Sequence, residues 1–301
     1  MKDLVYIIIL NYNNWPDTLK CLQSIKKIDY PNYKIILVDN NSAQKAEIFD
    51  PDIYIIYNSK NLGFAGGNNI GIKYALENKA DYILLLNNDT IVSKDFLTKL
   101  VKEANRDLRI GILGPKIYFV DQPKKIWFLG GKFSWFKTRW TKGRGHLGYD
   151  IEVPQDFEKK PQKVDFITGC ALLIKRQVIE KIGLLPEDYF FYYEDVDWCL
   201  SARKAGFFCE VVPKAEIWHK ISASTSQLGK ARILRYHFRN ALLLIDRQAP
   251  LFFKLTKHFW AGWLILKQAI KIIFIPSSRP ASREILKGIS DYYQKKFGQI
   301  I

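Results

Sequence analysis

The sequence predicts an α/β protein in which a mixed, mainly parallel sheet is flanked by helices, with a helical extension at the C-terminus. The first observation is a set of short apolar runs that end abruptly in Asn and Asp. Residues 82–86, followed by Asn87, Asn88 and Asp89, are the clearest case. Such runs are typical of parallel strands covered on both faces. The second observation is that helical segments alternate with these runs, which favours parallel pairing through right-handed crossovers.

The composition is that of a globular protein with a strongly basic C-terminal region. The chain has 301 residues, 48% of them hydrophobic, and a formal net charge of +16. Residues 231–301 contain 13 Lys and Arg and 3 Asp and Glu, so this region carries +10 of that charge. A basic, aromatic-rich segment favours either nucleic acid or the anionic face of a membrane.

The cysteines and the N-terminus indicate a cellular compartment. The four cysteines are scattered, without a Cys-x-x-Cys pair, so that they suggest neither a zinc site nor a disulfide framework and fit a reducing cytosol. The first strand begins at once after the N-terminus, which leaves no room for a signal peptide. We therefore expect the body of the protein to be cytoplasmic.

The first 105 residues contain the clearest alternation of strands and helices. Three strands end in clusters of Asn and Asp, at 11–14, 39–42 and 87–89. Because ligands bind beyond the carboxyl ends of strands in open α/β sheets, these clusters indicate a polar ligand across the sheet edge. An ordinary polar turn is the alternative for each cluster taken alone. Strands are predicted at 4–10, 33–38, 53–57 and 82–86, and helices at 15–28, from 71 to about 78 and at 95–105.

A glycine-rich stretch follows the third strand. Gly63, Gly66, Gly67 and Gly71 do not have the G-x-G-x-x-G spacing of a dinucleotide-binding turn, which would also follow the first strand. We expect a loop whose backbone closely approaches a ribose or diphosphate, with a simple tight loop as the alternative.

The second half of the chain is less regular. Strands are predicted at 111–120, 164–174 and 207–212 and a short helix at 177–182. Basic and aromatic residues interleave over 132–146. Three interpretations of that segment stay open: a loop over a sugar or anionic ligand, a nucleic-acid patch, or a solvated basic loop.

Five aromatic residues, 189–193, precede two adjacent carboxylates, Glu194 and Asp195. Acidic residues in the first turn of a helix are favoured by its dipole, which is the simplest explanation of the pair. An aromatic wall would also desolvate one carboxylate and make it a better base, and we prefer this interpretation. His219 lies close to the end of a further strand, where the other polar clusters gather.

The C-terminal region is predicted to form helices at 235–245 and 251–275. We expect the first, which has basic residues at its start, to pack near the rim of the ligand site, and the second has an apolar stripe. A membrane span needs about 18 largely apolar residues, and the longest uninterrupted run, 259–266, is too short. The Trp, Phe and Lys composition favours a helix that lies in an anionic membrane interface. Packing on the rest of the chain or on a second subunit are the alternatives. The stripe comprises Phe252, Leu255, Phe259, Trp263, Leu266, Ile270 and Ile273, with Lys254, Lys257, His258 and Gln268 opposite.

Five motifs occur in one order along the chain: Val38-Asp-Asn-Asn-Ser42, Asn61-Leu-Gly-Phe-Ala-Gly-Gly-Asn68, Leu85-Leu-Asn-Asn-Asp-Thr90, Tyr193-Glu-Asp-Val-Asp-Trp198 and Trp218-His219. In this order the sequence resembles the family 2 glycosyltransferases, specifically their rhamnosyltransferase-like branch, over roughly residues 4–245. The resemblance implies a GT-A fold, an inverting mechanism, a nucleotide-sugar donor and a divalent metal, Mg²⁺ or Mn²⁺.

The resemblance also implies which residues bind the nucleotide sugar. Asp39 would hydrogen-bond the pyrimidine base of the donor, near the strand end at Tyr12 and Asn13. Asn88, after the fourth strand, would also bind the nucleotide sugar. The residues along the ribose and diphosphate would be Gly66, Gly67 and Asn68.

For the metal and the chemistry, the resemblance implies four further residues. Asp89 and His219 would hold the metal, Asp195 would be the catalytic base, and Glu194 beside it would shape the acceptor pocket. The metal motif here is Asn87-Asn88-Asp89 and lacks its first carboxylate. We therefore expect weak metal binding by the protein alone, with the donor's diphosphate supplying further oxygens.

The sequence thus predicts a cytoplasmic, membrane-associated glycosyltransferase that moves L-rhamnose from dTDP-L-rhamnose to a lipid-linked or polysaccharide acceptor. UDP-hexose, UDP-GlcNAc and UDP-galactofuranose are alternative donors. We expect residues 1–230 to form the catalytic domain, with a nucleotide-binding half to about 120 and an acceptor half after it, and 231–301 to form a basic helical extension. A homo-oligomer stays open, and we expect no nucleic-acid partner.

Two rival functions belong to other classes. A nucleotidyltransferase on a similar sheet would carry a Gly-rich, Arg-containing loop after the first strand, where this chain has Asn-Tyr-Asn-Asn. A nucleic-acid-binding protein is suggested by the charge alone, and would show binding with a steep dependence on salt.

Overall fold

The computed structural model describes residues 2–45, 50–133, 135, 160–220 and 230–300, so most of the basic–aromatic segment at 132–146 lies outside the described residues. The described strands are β1 (Val5–Asn11), β2 (Tyr33–Asp39), β3 (Ile53–Tyr57), β4 (Tyr82–Asn87), β5 (Thr90–Val92), β6 (Ile110–Phe119), β7 (Ile126–Phe128), β8 (Gln162–Val164), β9 (Ala171–Lys175) and β10 (Phe208–His219). The α-helices are α1 (Trp15–Ile25), α2 (Gly63–Glu77), α3 (Phe96–Ala104), α4 (Arg176–Ile182), α5 (Glu194–Lys204), α6 (Lys230–Gln248), α7 (Leu251–Phe274) and α8 (Arg279–Tyr293).

The described strands form one sheet in the order β3-β2-β1-β4-β9-β6-β10-β5, with β7 beside β6 and β8 beside β10. The first four strands of the chain pair in parallel, as their buried apolar runs predict. β9 then runs antiparallel between β4 and β6, which makes the sheet mixed. The predicted α/β fold class is therefore confirmed, and three of the four described parallel pairs lie among β1 to β4.

The glycine-rich stretch that we predicted as a loop is instead the beginning of α2. Gly67 and Gly71 allow this helix to lie directly on β1. A Cβ atom at Gly67 would be 2.5 Å from Cδ1 of Leu10, and one at Gly71 would be 2.7 Å from Cγ2 of Ile8. Residues four apart share one face of a helix, so both glycines meet the strand. The prediction failed because glycine in a sequence more often marks a turn than a close contact between a helix and a sheet.

Strand β10 is longer than the segment predicted at 207–212. It continues through Pro213 to His219, with a shift in its register against β6 between Val212 and Glu216. The irregularity accommodates a proline, which cannot donate to the ladder. The extension matters because it carries His219 to the edge of the sheet, where it pairs with Thr90 of β5.

The C-terminal helices share the hydrophobic core of the sheet. Leu242 and Leu244 of α6 and Ile289 of α8 belong to the same buried cluster as the strands. α8 lies tightly on α6, where a Cβ atom at Gly288 would be 2.4 Å from the carbonyl oxygen of Arg235. Truncation of the region after residue 230 would therefore open the core, although the domain boundary itself stays a prediction.

Helix α7 turns its apolar stripe toward solvent and polar residues toward the protein. Phe259 is 80% exposed and Leu266 is 61% exposed, whereas Lys257 and Gln268 are buried. The alternative in which the stripe packs on the rest of this chain is therefore wrong. The exposed apolar residues of this region include all seven members of the predicted stripe together with Leu251, Ile265, Phe274 and Ile275.

Polar contacts anchor the inner face of α7. Lys257 forms an ion pair with Asp246 of α6, and Gln268 accepts a hydrogen bond from Ser282 of α8 at 2.9 Å. These contacts fix which face of the helix points outward. Within the described part of the chain, α7 and the other helices all fall short of the length and apolarity that crossing a bilayer requires.

Gly288 of α8 and Gly262 of α7 have different surroundings, so replacing each by alanine should change the stability of the protein in opposite directions. Gly288→Ala should lower the free energy of unfolding by about 1–3 kcal/mol, because the new methyl group meets backbone rather than a movable side chain. Gly262→Ala is the matched control, since its Cβ would meet nothing within 4 Å and it also lies inside a helix. It should raise the free energy of unfolding by about 0.5–1 kcal/mol. Urea unfolding of both variants checks this, and equal effects would contradict it.

Candidate active site

A cavity of about 700 Å³ lies beyond the carboxyl ends of β1 and β4. The polar clusters of the sequence predicted this position for a ligand. Six of the predicted site residues line the cavity: Tyr12, Asn88, Asp89, Glu194, Asp195 and His219. Five others are not among its lining residues: Asn13, Asp39, Gly66, Gly67 and Asn68.

Asn11, which the sequence analysis left without a role, joins the ends of three strands. Its side-chain amide nitrogen donates to Asp39 of β2 at 2.9 Å. Its side-chain oxygen accepts from Thr18 at 3.0 Å and from Asn88 at 3.2 Å. Asn88 also donates to Thr18 at 2.8 Å. Because Asn11 is fully buried, these bonds hold the floor of the cavity in one arrangement.

Asp39 and Asn13 lie behind the cavity and shape the turn after β2. Asp39 is 1% exposed, and it accepts hydrogen bonds from Asn11 and from the backbone nitrogen and hydroxyl of Ser42. Asn13 has a φ of 53° and accepts from the backbone nitrogen of Ala43 at 2.8 Å. The two residues therefore tie the segment after β1 to the segment after β2, and their contact with a nucleotide base stays a prediction.

The α2 residues of the predicted nucleotide site are turned toward the protein. Asn68 is 2% exposed and donates to the carbonyl of Phe64 at 2.9 Å. Gly66 lies beside Leu62, and Gly67 lies on β1. Asn40, by contrast, lines the cavity and was missed, although it stands in a predicted cluster. It donates to Asn61 at 2.8 Å and accepts from the backbone nitrogen of Leu62 at 3.0 Å, so it sets the path of the chain into α2.

The pairing of β5 with β10 brings Asp89 and His219 together. His219 lies opposite Thr90, and the backbone nitrogen of Lys220 donates to the carbonyl of Asp89 at 2.9 Å. Nε2 of His219 is consequently 3.0 Å from Oδ1 of Asp89. The ring of Trp127 lies 4.5 Å from the imidazole, centroid to centroid, and covers it on one side.

The side chains of Asp89 and His219 are chemically suited to bind a divalent cation. Oδ1 of Asp89 is buried and faces Nε2 of His219 at 3.0 Å, but the two atoms are not aligned as a hydrogen bond. A carboxylate and an imidazole are ligands that Mn²⁺ and Mg²⁺ accept. No cluster of three or more His, Cys, Asp or Glu suited to a metal occurs within the described ranges. Water or a bound diphosphate would therefore have to complete the coordination.

Asp195 stands in the first turn of α5 and lines the cavity. Its Oδ2 accepts from the backbone nitrogen of Gly169 at 2.8 Å, and its Oδ1 accepts from the backbone nitrogen of Val196 at 2.8 Å. Hydrogen bonds from backbone N–H groups favour the ionised form of a carboxylate. The side chain is only partly buried, so an incoming hydroxyl group can reach it.

Glu194 has a different environment although it is adjacent. Its side chain is 5% exposed, and Oε2 has no hydrogen-bond partner among the described residues. Burial raises the pKa of Glu194 well above its usual value, and the neighbouring charge of Asp195 raises it further. Burial therefore favours the protonated form of Glu194, whereas the two backbone N–H bonds favour the ionised form of Asp195.

The aromatic run before these carboxylates has an unusual backbone. Phe190, Tyr192 and Tyr193 have φ angles of 63°, 71° and 77°, in the left-handed region that bulky residues avoid. Each such residue costs on the order of 1–3 kcal/mol unless its surroundings hold it there. On one side, the loop lies against the start of α2, where the backbone nitrogen of Phe64 donates to the carbonyl of Phe190 at 2.8 Å. A Cβ atom at Gly63 would be 2.4 Å from the same oxygen, so glycine is required there.

The far wall of the cavity comes from the C-terminal region, whose first helix we expected near the rim of the site. The imidazole of His237 stacks on Tyr192 with 4.3 Å between ring centroids. The backbone nitrogen of Ile300 donates to the hydroxyl of Tyr236 at 2.9 Å. The individual wall residues were not predicted. The wall residues are Arg232, Tyr236, His237, Gln299 and Ile300.

Comparisons with known sequences identify relatives over nearly the whole chain. A dTDP-rhamnosyl transferase, RfbF of Shigella flexneri, is 25% identical over 96% of this chain and 98% of its own length. The N-acetylglucosaminyl-diphospho-decaprenol L-rhamnosyltransferase of Mycobacterium tuberculosis is 25% identical over 83% of this chain and 86% of its own. The rhamnosyltransferase WbbL of Escherichia coli K12 is 26% identical over 81% of this chain and 94% of its own.

Comparisons with solved structures show a shared fold. The structure of GalNAc-T7 with UDP, GalNAc and Mn²⁺ has a TM-score of 0.61 at 16% identity, over 81% of this chain and 47% of that one. The mannosyltransferase PcManGT of Pyrobaculum calidifontis, in complex with GDP-Man and Mn²⁺, has a TM-score of 0.55 at 14% identity, over 98% of this chain and 88% of that one. At these identities the likeness supports the GT-A fold alone.

The sequence pattern of "Glycosyl transferase family 2" matches residues 6–183, which is more than half of the chain. That match covers β1 to α4 and therefore the strand ends that form the floor of the cavity. This protein belongs to glycosyltransferase family 2, with rhamnosyltransferases among its relatives.

Proposed function

We propose that this protein is an inverting, metal-dependent glycosyltransferase that moves L-rhamnose from dTDP-L-rhamnose to a hydroxyl group of a lipid-linked or polysaccharide acceptor. The observation that carries the proposal is that one cavity contains both the carboxyl group of Asp195 and the Asp89–His219 pair. The activities for which the rhamnosyltransferase relatives are named support the choice of donor and the lipid-linked class of acceptor. UDP-linked sugars remain alternative donors on the same site.

The chain's own residues supply the base for a single displacement. The acceptor oxygen bonds to the anomeric carbon while the bond from that carbon to the donor diphosphate breaks on the opposite face. The hydroxyl proton passes to the carboxylate of Asp195, which its two backbone N–H donors hold in place. One displacement without a covalent intermediate inverts the anomeric centre. Because burial favours the protonated form of Glu194, we assign the role of base to Asp195.

The other end of the cavity receives the leaving group. Asn87, Asn88 and Asp89 line that part of the cavity, and Asn88 is fixed by Thr18. The nucleoside diphosphate becomes more negative as it leaves. A divalent ion held by Asp89 and His219 would stabilise that charge. The family membership argues against both a nucleotidyltransferase and a protein whose function is nucleic-acid binding.

We further propose that the enzyme works at the inner, anionic face of a membrane through α7. The outward face of α7 is apolar, and the helix contains no Asp or Glu while Lys254, Lys267 and Lys271 lie along it. Nζ of Lys267 lies 4.6 Å from the ring centroid of Trp263, a combination suited to the headgroup region. The basic residues would repel one another across a symmetric contact between two copies, so the charge favours lipid as the partner.

The two adjacent carboxylates should respond differently to amide substitution. Asp195→Asn should lower kcat by about 100-fold or more, because the base is lost. Glu194→Gln should retain activity within about tenfold, since a neutral side chain of the same shape replaces a protonated one. Transfer from dTDP-L-rhamnose to a synthetic lipid-linked acceptor measures both. A nearly wild-type rate for Asp195→Asn would refute the assignment of the base.

The metal assignment predicts a loss of metal-dependent nucleotide binding. Asp89→Ala and His219→Ala should each weaken the Mn²⁺-dependent affinity for dTDP by about tenfold or more, because each removes one of two protein ligands. His258→Ala is the control, as this imidazole contacts Tyr293 on the C-terminal helices and does not line the cavity. Titration calorimetry with and without Mn²⁺ measures the affinities. Full activity in excess chelator would contradict the proposal.

The membrane assignment predicts salt-sensitive binding to anionic vesicles. Phe259→Glu combined with Leu266→Glu should lower co-sedimentation with phosphatidylglycerol vesicles by about tenfold or more. Leu19→Glu with Leu108→Glu adds the same charge at two exposed leucines outside α7 and should bind as the wild type does. A change in oligomeric state without a change in vesicle binding would instead identify the stripe as a subunit contact.

A further inference from the structure

Arg239 and Asn240 of α6 form a buried polar pair that the proposed function leaves unused. Both side chains are fully buried, and neither lines the cavity. Arg239 makes no ion pair with any carboxylate of the described residues. A buried guanidinium without a counter-charge is unusual and needs all its donors satisfied by other groups.

Carbonyl oxygens take the place of a carboxylate around Arg239. Nη2 donates to the carbonyls of Tyr189 and Asp188, at 2.9 and 3.4 Å. Nη1 donates to those of Gly298 and Lys296, at 2.8 and 3.3 Å. Nε donates to the side-chain oxygen of Asn240 at 2.9 Å. Each of the five N–H groups of the guanidinium therefore has an acceptor.

The bond from Arg239 fixes the orientation of the Asn240 amide. Because Nε can only donate, the side-chain oxygen of Asn240 must face it, and the NH₂ group must point the other way. That group lies 3.1, 2.8 and 3.0 Å from the carbonyls of Tyr189, Phe191 and Tyr192. Asn240 thereby supplies donors to the carbonyls of Phe191 and Tyr192, and adds one to that of Tyr189, which also accepts from Arg239 and from the backbone nitrogen of Phe191.

This segment is the left-handed loop that leads into Asp195. Phe190, Tyr192 and Tyr193 would relax toward ordinary backbone angles if nothing held them. The start of α2 donates to the carbonyl of Phe190, and the contacts from α6 add further restraint. Since Tyr193 is followed directly by Glu194 and Asp195, a shift of this loop moves the base.

We propose that Arg239 and Asn240 are positioning residues, which hold loop 189–193 in its strained conformation and thereby set the place of Asp195 against the acceptor hydroxyl. The inference rests on the proposed role of Asp195 as base. Neither residue touches the substrate. A displacement of about 1 Å in a reacting group can lower a rate by about 100-fold, so the effect should be on turnover rather than on donor binding.

Asn240→Asp tests the pair with little change in shape. The carboxylate keeps an acceptor for Nε of Arg239 but loses both N–H donors to the loop. We expect kcat to fall by about 30-fold or more while the affinity for dTDP with Mn²⁺ stays within about threefold. Arg235→Gln is the matched control. It breaks the ion pair from the same helix to Asp291, at 2.6 Å, without touching the loop, so it should lower stability but leave kcat within about threefold.

A double substitution distinguishes the positioning role of Arg239 and Asn240 from the proposed role of Asp195 as base. Once Asp195→Asn has removed the base, adding Asn240→Asp should lower kcat by less than about threefold more, because both act through one group. An active Asp195→Asn enzyme would refute the base itself. With Asp195→Asn inactive, a wild-type kcat for Asn240→Asp, or an equal loss for Arg235→Gln at the same thermal stability, would overturn the positioning role. If Asn240→Asp does not fold, Arg239→Lys decides by the same criteria, since lysine keeps the charge but cannot reach all five acceptors.

Discussion

The strained loop before α5 is the constraint on which the rest of the site depends. Three bulky residues with positive φ angles place Glu194 and Asp195 at the start of a helix facing the cavity. Such a backbone persists only where its surroundings hold it, and two parts of the chain that are far apart in sequence contribute here. The start of α2 donates to the carbonyl of Phe190, and α6 donates to those of Phe191 and Tyr192. The base is therefore held jointly by α2 and the C-terminal helices.

The sheet and the floor of the site could be predicted from local sequence, whereas the residues of the far wall could not. Apolar runs that end in Asn and Asp predicted β1 to β4 and the location of the cavity, because strand ends in a parallel sheet meet at one edge. The roles of Asn11 and Asn40 could not be predicted, since their partners depend on the register between strands. The helix at Gly63 was missed because a close contact between helix and sheet leaves no local signal beyond glycine itself. The residues of the C-terminal wall could not be predicted, because tertiary packing decides which of them reach the cavity.

Different degrees of burial give the two adjacent carboxyl groups, Glu194 and Asp195, different roles. Two negative charges at neighbouring positions in a poorly hydrated site repel each other strongly, and the charge of Asp195 raises the pKa of Glu194. Glu194 lies deeper and has an oxygen without a partner in the described part of the chain, whereas Asp195 receives two backbone N–H bonds. The helix dipole explains why acidic residues occur in this turn, but it does not explain why the two differ. The difference comes from burial, which is nearly complete for Glu194 and partial for Asp195, although both line the cavity.

Helix α7 inverts the usual relation between polarity and burial, and its contacts explain how the fold tolerates this. An amphipathic helix in a water-soluble protein normally buries its apolar face. Here Lys257 and Gln268 face inward because Asp246 and Ser282 provide partners there. Some apolar residues of the helix, such as Leu264, share that inner face, whereas the residues of the stripe lie outside. Asp246 lies on α6, the helix that also carries Asn240, and it accepts a hydrogen bond from Tyr292 of α8 as well. The outward apolar surface and the loop that carries the base are thus fixed to the same helix, so that whatever covers α7 is held in a defined position relative to Asp195.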